Sequence, residues 1–168
     1  MKYYCRYDAP KGLDGLFIES DGINLTRLFF DRPGEKISGV AVRPCDVGVI
    51  KETFEWLDAY FSGDPKKTVP KLRFEGLTPF QNAVLSIIRN IPFGKSVSYG
   101  ELSRLVAQKT GKEKMSAQAI GGALKRNPVC IIIPCHRIIG KDGSLTGYSG
   151  GIENKRRLLE HEGIYINK

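Results

Sequence analysis

The second half of the chain carries helix-start signals that leave little freedom in where its helices begin. Thr78-Pro79-Phe80-Gln81 offers a threonine cap, a proline at the first helical position and a glutamine three residues after the cap. Ser98-Tyr99-Gly100-Glu101 is a second capping box, and Ser116 stands as a third cap. Apolar residues follow at helical spacing: Phe80, Val84, Ile87, Ile88 and Ile91 up to Asn90 and Pro92, then Leu102, Leu105 and Val106 up to Gly111. The third helix runs from Ser116 to Asn127, before Pro128, and a last one from Gly151 to Glu162 ends at Gly163. Helix, turn and helix, followed by the Gly140-Lys141-Asp142-Gly143 turn, predict a winged helix-turn-helix.

The first half reads differently. Leu16-Phe17-Ile18 and 23–30 look like neighbouring strands joined by Ser20-Asp21-Gly22. Residues 46–62 carry Val49, Phe54, Leu57 and Phe61 at roughly helical spacing, with Gly63 as a stop. The polar, proline-bearing run Asp64 to Pro70 is the best linker candidate. A chain of 168 residues is long enough for two small domains. The expectation is an α/β domain over 1–70, a linker near 63–72, and a mainly α domain over 76–168.

The formal charge of +8 lies wholly in the second half: residues 1–76 hold 12 basic and 12 acidic side chains, residues 77–168 hold 14 and 6. Excess lysine by itself suits a solvated surface, but its confinement to one half points to a polyanionic partner. The longest apolar runs, such as 129–134, are far too short to cross a bilayer, and the N-terminus lacks the apolar region of a signal peptide. An intracellular chain with no membrane partner is expected. Its four cysteines, Cys5, Cys45, Cys130 and Cys135, then default to free thiols, the first three as small buried hydrophobes. None has zinc-site spacing, so no metal is expected.

The third helix opens on small residues, Ser116-Ala117-Gln118-Ala119-Ile120-Gly121-Gly122-Ala123, and two interior glycines cost roughly 1 kcal/mol each against alanine. Close helix–helix packing and entry into a narrow groove account for this equally well. Downstream, Ile131-Ile132-Ile133-Pro134 reads as a buried strand that delivers Cys135 to its end. A buried cysteine is ordinarily inert, but His136, Arg137 and the Gly140 turn follow, and a thiol becomes a nucleophile only beside a base or positive charge. Consecutive residues of an extended segment face opposite ways, so His136 acting on Cys135 requires a bend or a bridging water. His161-Glu162, at a helix end, is one candidate for orienting the imidazole.

Pro134-Cys135-His136-Arg137 with its isoleucine-rich lead-in resembles the methyl-acceptor signature of the O(6)-alkylguanine-DNA alkyltransferases, also called methylated-DNA–protein-cysteine methyltransferases. The likeness extends in order through Thr78-Pro79-Phe80-Gln81, Ile91-Pro92-Phe93-Gly94, Val97-Ser98-Tyr99, Ala119-Ile120-Gly121-Gly122-Ala123, Arg126-Asn127-Pro128, Gly147-Tyr148-Ser149-Gly150-Gly151 and 158–163. The first half is similar only in its coarse strand–helix plan. The resemblance implies a catalytically silent, ribonuclease-H-like α/β domain followed by a winged helix-turn-helix domain. It implies single-turnover repair of O6-alkylguanine in double-stranded DNA, chiefly O6-methylguanine, by a cytoplasmic (nuclear in a eukaryote), monomeric enzyme without a cofactor.

In that family the helix-turn-helix enters the minor groove and the damaged base is flipped into a pocket. By resemblance Cys135 accepts the alkyl group, His136 deprotonates it through a water, Glu162 orients His136, and Tyr99 donates a hydrogen bond to the base. Asn127 matches the residue bracing the turn before the acceptor. Ile138, Tyr148 and Ser149 match the pocket and the loop over the guanine. DNA contacts fall on Ser116, Ala117, Gln118, Ala119, Gly121 and Lys125. One departure is Gln118, where the family commonly has an arginine that fills the stack left by the flipped base; glutamine brings no charge and less stacking surface. Two other readings make different predictions: a DNA-binding module would leave Cys135 unmodified, and a Cys-His hydrolase would turn over repeatedly.

Overall fold

The structure, a computed structural model, describes residues 1–65 and 68–166. The chain divides into two compact units, Met1–Glu75 and Gly76–Lys168.

The first unit is a four-stranded sheet with one long helix. Strands β1 (Tyr3–Tyr7), β2 (Leu16–Ser20), β3 (Leu25–Phe30) and β4 (Val40–Ala41) take the order β3-β2-β1-β4. The first three are antiparallel neighbours, and β4 runs parallel to β1. Leu16, Ile18, Leu25, Leu28 and Phe30 are buried, as are Val49, Ile50, Thr53, Leu57 and Tyr60 of helix α1 (Gly48–Phe61). Burial of these side chains supplies the core. The expected Ser20-Asp21-Gly22 turn is built by Asp21, whose Oδ1 accepts from the N–H groups of Ile23 and Asn24 at 2.9 and 2.7 Å.

Three expectations for this unit need correction. Ile23 is exposed and outside β3, because the Asp21 turn takes up residues 21–24. The buried stripe of α1 runs through Thr53, Trp56 and Tyr60, and leaves Phe54 and Phe61 half-buried. Within the expected linker, Lys66 and Lys67 lie outside the described residues, while Leu72 bridges to Leu25: Leu25 N–H donates to the Lys71 carbonyl at 2.7 Å, and Arg73 N–H to the Leu25 carbonyl at 3.1 Å. Backbone hydrogen bonds therefore hold 71–73 to the sheet.

In the second unit the cap chemistry operates as the sequence predicts. Helix α2 (Pro79–Ile88) starts where Thr78 Oγ1 accepts from Gln81 N–H at 3.2 Å and Gln81 Oε1 accepts from Thr78 N–H at 3.0 Å. Helix α3 (Tyr99–Thr110) has the same reciprocal pair in Ser98 and Glu101, and ends on Gly111 in the left-handed conformation at φ 68°. Helix α4 (Ala117–Lys125) is capped by Ser116, and α5 (Ile152–His161) runs between Gly151 and Glu162. Strand β5 (Val97–Ser98) pairs in parallel with β6 (Ile138–Ile139), which joins the start of α3 to the segment after Cys135. On α2 the buried positions are Val84, Leu85 and Ile88, with Phe80 and Ile87 half-buried. On α3, Ala107 is buried with Leu102 and Val106, whereas Leu105 is 45% exposed, contrary to the expected stripe.

Candidate active site

The isoleucine run before Cys135 is buried, as its composition requires, but it is a turn and not the expected strand. Ile132 N–H donates to the Cys130 carbonyl at 2.7 Å, closing a γ-turn on Ile131, whose φ of 67° is the one positive value at a non-glycine among the described residues. Cys135 N–H donates to the Ile133 carbonyl at 2.8 Å, closing an inverse γ-turn on Pro134 (φ −83°, ψ 62°). A β-branched residue in the left-handed region costs roughly 1–2 kcal/mol. Burial of the three isoleucines and anchoring by Asn127 offset that strain.

Asn127 anchors the turn at three points. Its Nδ2 donates to the Ile133 carbonyl at 2.7 Å and lies 3.1 Å from Cys135 Sγ, while its Oδ1 accepts from Val129 N–H at 3.1 Å. Cys135 opens a single 3-10 turn, Cys135–Arg137, and is 5% exposed. Burial pushes its thiol pKa up; the Asn127 hydrogen bond, the charge of Lys155 and the backbone N–H groups of Cys135 and His136 act the other way. A reacting Cys135 thus needs a base at the moment of reaction.

A candidate base lies in the same turn. The 3-10 geometry replaces the extended segment on which a bend was required, and it buries His136 completely. His136 Nε2 lies 2.7 Å from Glu162 Oε1. Arg137 forms a bidentate pair with Glu162, Nε to Oε2 and Nη2 to Oε1, both at 2.8 Å, and its Nη1 donates to the Ile91 carbonyl at 2.6 Å. Gly94 N–H donates to Glu162 Oε2 at 3.1 Å. Burial alone would raise the Glu162 carboxyl, but its hydrogen bonds to His136 and Arg137 and the Arg137 charge hold it well below the ordinary carboxylate range. Burial lowers the His136 pKa, and the Arg137 and Lys155 charges add to that against the opposing pull of Glu162, so the imidazole is neutral.

A neutral imidazole beside a carboxylate must place its proton on Nε2, since the carboxylate only accepts. Nδ1 is then the bare lone pair. It is buried and has no hydrogen-bond partner among the described residues. An acceptor in that state is costly unless it takes a proton or a bridging donor, which is the state of a base awaiting its acid.

The remaining candidates fall into two groups. Ile138 is fully buried in β6, and Tyr148 is buried, while Ser149 is exposed on the same loop. The Tyr99 hydroxyl donates to the Thr146 carbonyl at 3.0 Å, and a Cβ at Gly147 would come within 3.1 Å of that hydroxyl, so the left-handed glycine permits the close approach. On α4, Ser116, Ala117, Gln118 and Lys125 are exposed, and Ala119 and Gly121 half-exposed. Nothing lies within 4 Å of a Cβ built on Gly121 or Gly122. The glycines therefore do not serve close helix–helix packing, and an open face of small side chains remains.

Lys155 escaped the sequence reading, which took Arg137 only as a neighbour of Cys135 and not as the partner of Glu162. Lys155 is 1% exposed and donates to the carbonyls of Ile138 and Thr146. A signal existed: Lys155, Leu158, Leu159 and Glu162 share one helical face, so a cation and an anion occupy positions where an amphipathic helix places apolar residues. Two thiols differ from expectation: Cys45 is exposed and Cys5 half-buried, with only Cys130 buried as predicted. Among the described residues no group of His, Cys, Asp or Glu could hold a metal ion, and no helix is long and apolar enough to cross a membrane.

The family model described as 6-O-methylguanine DNA methyltransferase, DNA binding domain, matches residues 79–164. The methylated-DNA–protein-cysteine methyltransferase of Haemophilus influenzae is 37% identical over 99% of this chain and 89% of its own length. That of Methanosarcina acetivorans is 37% identical over 96% of this chain and 98% of its own. Among solved structures, the Mycobacterium tuberculosis OGT in complex with DNA superposes with a TM-score of 0.80 at 34% identity, covering 95% of this chain and 92% of that one. The O6-methylguanine methyltransferase of the same organism gives 0.81 at 35% identity, covering 96% and 93%.

Proposed function

The chain belongs to the methylated-DNA–protein-cysteine methyltransferase family, and we propose that Cys135 takes the alkyl group from O6-alkylguanine, chiefly O6-methylguanine, in double-stranded DNA. The observation that carries this reading is the Cys135 turn. A sulfur held by Asn127 shares one 3-10 turn with the next residue's imidazole, whose Nε2–H is committed to Glu162 and whose Nδ1 lone pair is bare.

In this reading Nδ1 of His136 takes the thiol proton through a water. The sulfur lone pair forms a bond to the alkyl carbon, the carbon–O6 bond breaks, and the electron pair stays on the guanine, which takes up the proton. A thioether is a poor leaving group, so each molecule acts once and needs no cofactor. Tyr99 leaves the Thr146 carbonyl to donate to the flipped base, Asn127 keeps the acceptor turn in place, and Ile138, Tyr148 and Ser149 border the guanine.

The second unit is read as a winged helix-turn-helix domain over 76–168, with α4 entering the minor groove. Its open face, small at Ser116, Ala117, Ala119 and Gly121 around the longer Gln118, supports that reading, since small side chains let a helix approach a narrow groove closely, and Lys125 adds charge toward the phosphates. The first unit is read as a ribonuclease-H-like domain without a role in the chemistry. The protein acts as a monomer, in the cytoplasm or in the nucleus of a eukaryote.

The test is to mix the chain with a duplex containing one O6-methylguanine and to map the protein by mass spectrometry. One methyl group on Cys135 per molecule, lost in Cys135→Ser, is the expected result. A chain that binds the duplex and stays unmodified overturns the proposal.

A further inference from the structure

The buried charges around Cys135 do not balance until Cys135 ionises. Arg137 and Glu162 cancel as a bidentate pair, and His136 is neutral. Glu153, on the same helix as Lys155, is turned to the surface, where Arg156 and Arg157 pair with it. Lys155 is thus left as a buried cation whose hydrogen-bond acceptors, the carbonyls of Ile138 and Thr146, are neutral. Tyr99 faces it with the ring centroid 5.9 Å from Nζ and turns its hydroxyl to the same Thr146 carbonyl. Cys135 remains as the group that can supply the missing negative charge.

The backbone places Lys155 where it can act on both parts of the site. Ile138, whose carbonyl Lys155 holds, closes the acceptor turn by donating its own N–H to the Cys135 carbonyl. Thr146 opens the segment that leads to Tyr148 and Ser149. We propose that Lys155 is the counter-cation of the Cys135 thiolate, a positioning residue that also ties the 146–149 loop to the strand leaving the acceptor turn. The inference rests on the alkyl-transfer reading and adds a consequence to it. Once the sulfur is a thioether it carries no charge, and Lys155 loses its anion. Burial holds the Lys155 ammonium down to about 8 while an anionic Cys135 raises it, so the two groups support each other's charged forms.

Thiolate ultraviolet absorbance, followed through pH with Cys135→Ser as the blank, tests the pairing. In Lys155→Met the thiolate midpoint rises by about one pH unit relative to the native chain, and Lys155→Arg, which keeps the charge, brings it back toward native. A midpoint unmoved in folded Lys155→Met, or one that stays with the Met variant in folded Lys155→Arg, overturns the proposal. Should either variant fail to fold, the Lys155 side-chain resonance decides alone: its titration midpoint is lower in Cys135→Ala than in the native chain, and equal midpoints overturn the proposal. None of these measurements uses DNA. Failure of the O6-methylguanine duplex to modify Cys135 removes the transfer reading, whereas an unmoved thiolate midpoint removes the role of Lys155.

Discussion

Asn127 holds the sulfur of Cys135 with the same amide nitrogen that holds its turn, 3.1 Å from Sγ and 2.7 Å from the Ile133 carbonyl oxygen. Asn127→Ala leaves the Val129 N–H without its partner and the Ile133 carbonyl with only the Cys135 N–H, and frees a strained turn. The expected loss is about 2–4 kcal/mol in urea unfolding. Methyl transfer should slow more than Cys135 exposure alone predicts, measured as the single-turnover rate against native chain at a temperature where both are folded. An unchanged rate would separate Asn127 from the reaction.

Ile131 makes a reversal of the usual glycine penalty. At φ 67° a β-carbon is strained, so removing it helps the backbone even as the buried side chain is lost. Both Ile131→Ala and Ile131→Gly should destabilise the chain by a few kcal/mol through the cavity they leave. Ile131→Gly should nevertheless be the more stable of the two by about 1 kcal/mol. Thermal melts of the pair decide it; alanine ahead of glycine would mean the γ-turn is absent.

The acid side of the stability curve should belong to His136 and Glu162. Both are held below their ordinary values of 6.5 and 4.5 in the folded chain. A depressed value contributes stability that is fully present above the unfolded pKa and lost as pH falls through the folded one. Stability therefore declines from about pH 6.5 downward and more steeply below about pH 4.5, with a slope near 1.4 kcal/mol per pH unit for each proton. His136→Gln should flatten the upper segment. Glu162→Gln leaves Arg137 buried without its anion and should cost about 3–5 kcal/mol at neutral pH, read by denaturant unfolding.

Local chemistry and tertiary placement explain which parts of this arrangement could be read from the residues. Thr78, Ser98, Ser116 and Gly111 act through neighbours three or four residues away, and the helices begin or end where they stand. The run 131–134 misled because β-branched residues are buried equally well by a strand or by a turn, and periodicity does not separate four apolar residues in a row. What distinguishes them is Asn127, whose hold on Ile133 is a through-space fact. Glu162 could be suspected from its place at a helix end, but its pairing with both His136 and Arg137 joins elements 25 and 26 residues apart. Lys155 was hidden for the opposite reason: a lysine on a surface helix ordinarily extends into water, and its burial follows from the loop carbonyls that come to meet it.

Gln118 tests whether α4 reads DNA as proposed. Its side chain is exposed near the start of the helix, so replacement by arginine disturbs no packing. Gln118→Arg should leave the melting temperature within a degree or two and raise both duplex affinity and transfer rate. If the new guanidinium reaches a phosphate, the slope of log affinity against log salt steepens by about one. Equal affinity and rate in both chains would show that the substitution carries no functional weight.

Gly121 separates folding from binding on the same helix. A β-carbon there meets nothing within 4 Å, and glycine inside a helix costs about 1 kcal/mol against alanine. Gly121→Ala should accordingly stabilise the free protein by about that amount, seen as a higher melting temperature. A face that enters a narrow groove has no such room once DNA is present. Gly121→Leu, also a good helix former, should fold at least as well as the native chain yet bind duplex DNA about tenfold more weakly, measured by fluorescence anisotropy at fixed salt. Stability and affinity moving in opposite directions is the signature of a surface kept small for its ligand. If Gly121→Leu binds as tightly as the native chain, α4 meets DNA through another face or does not enter the groove at all.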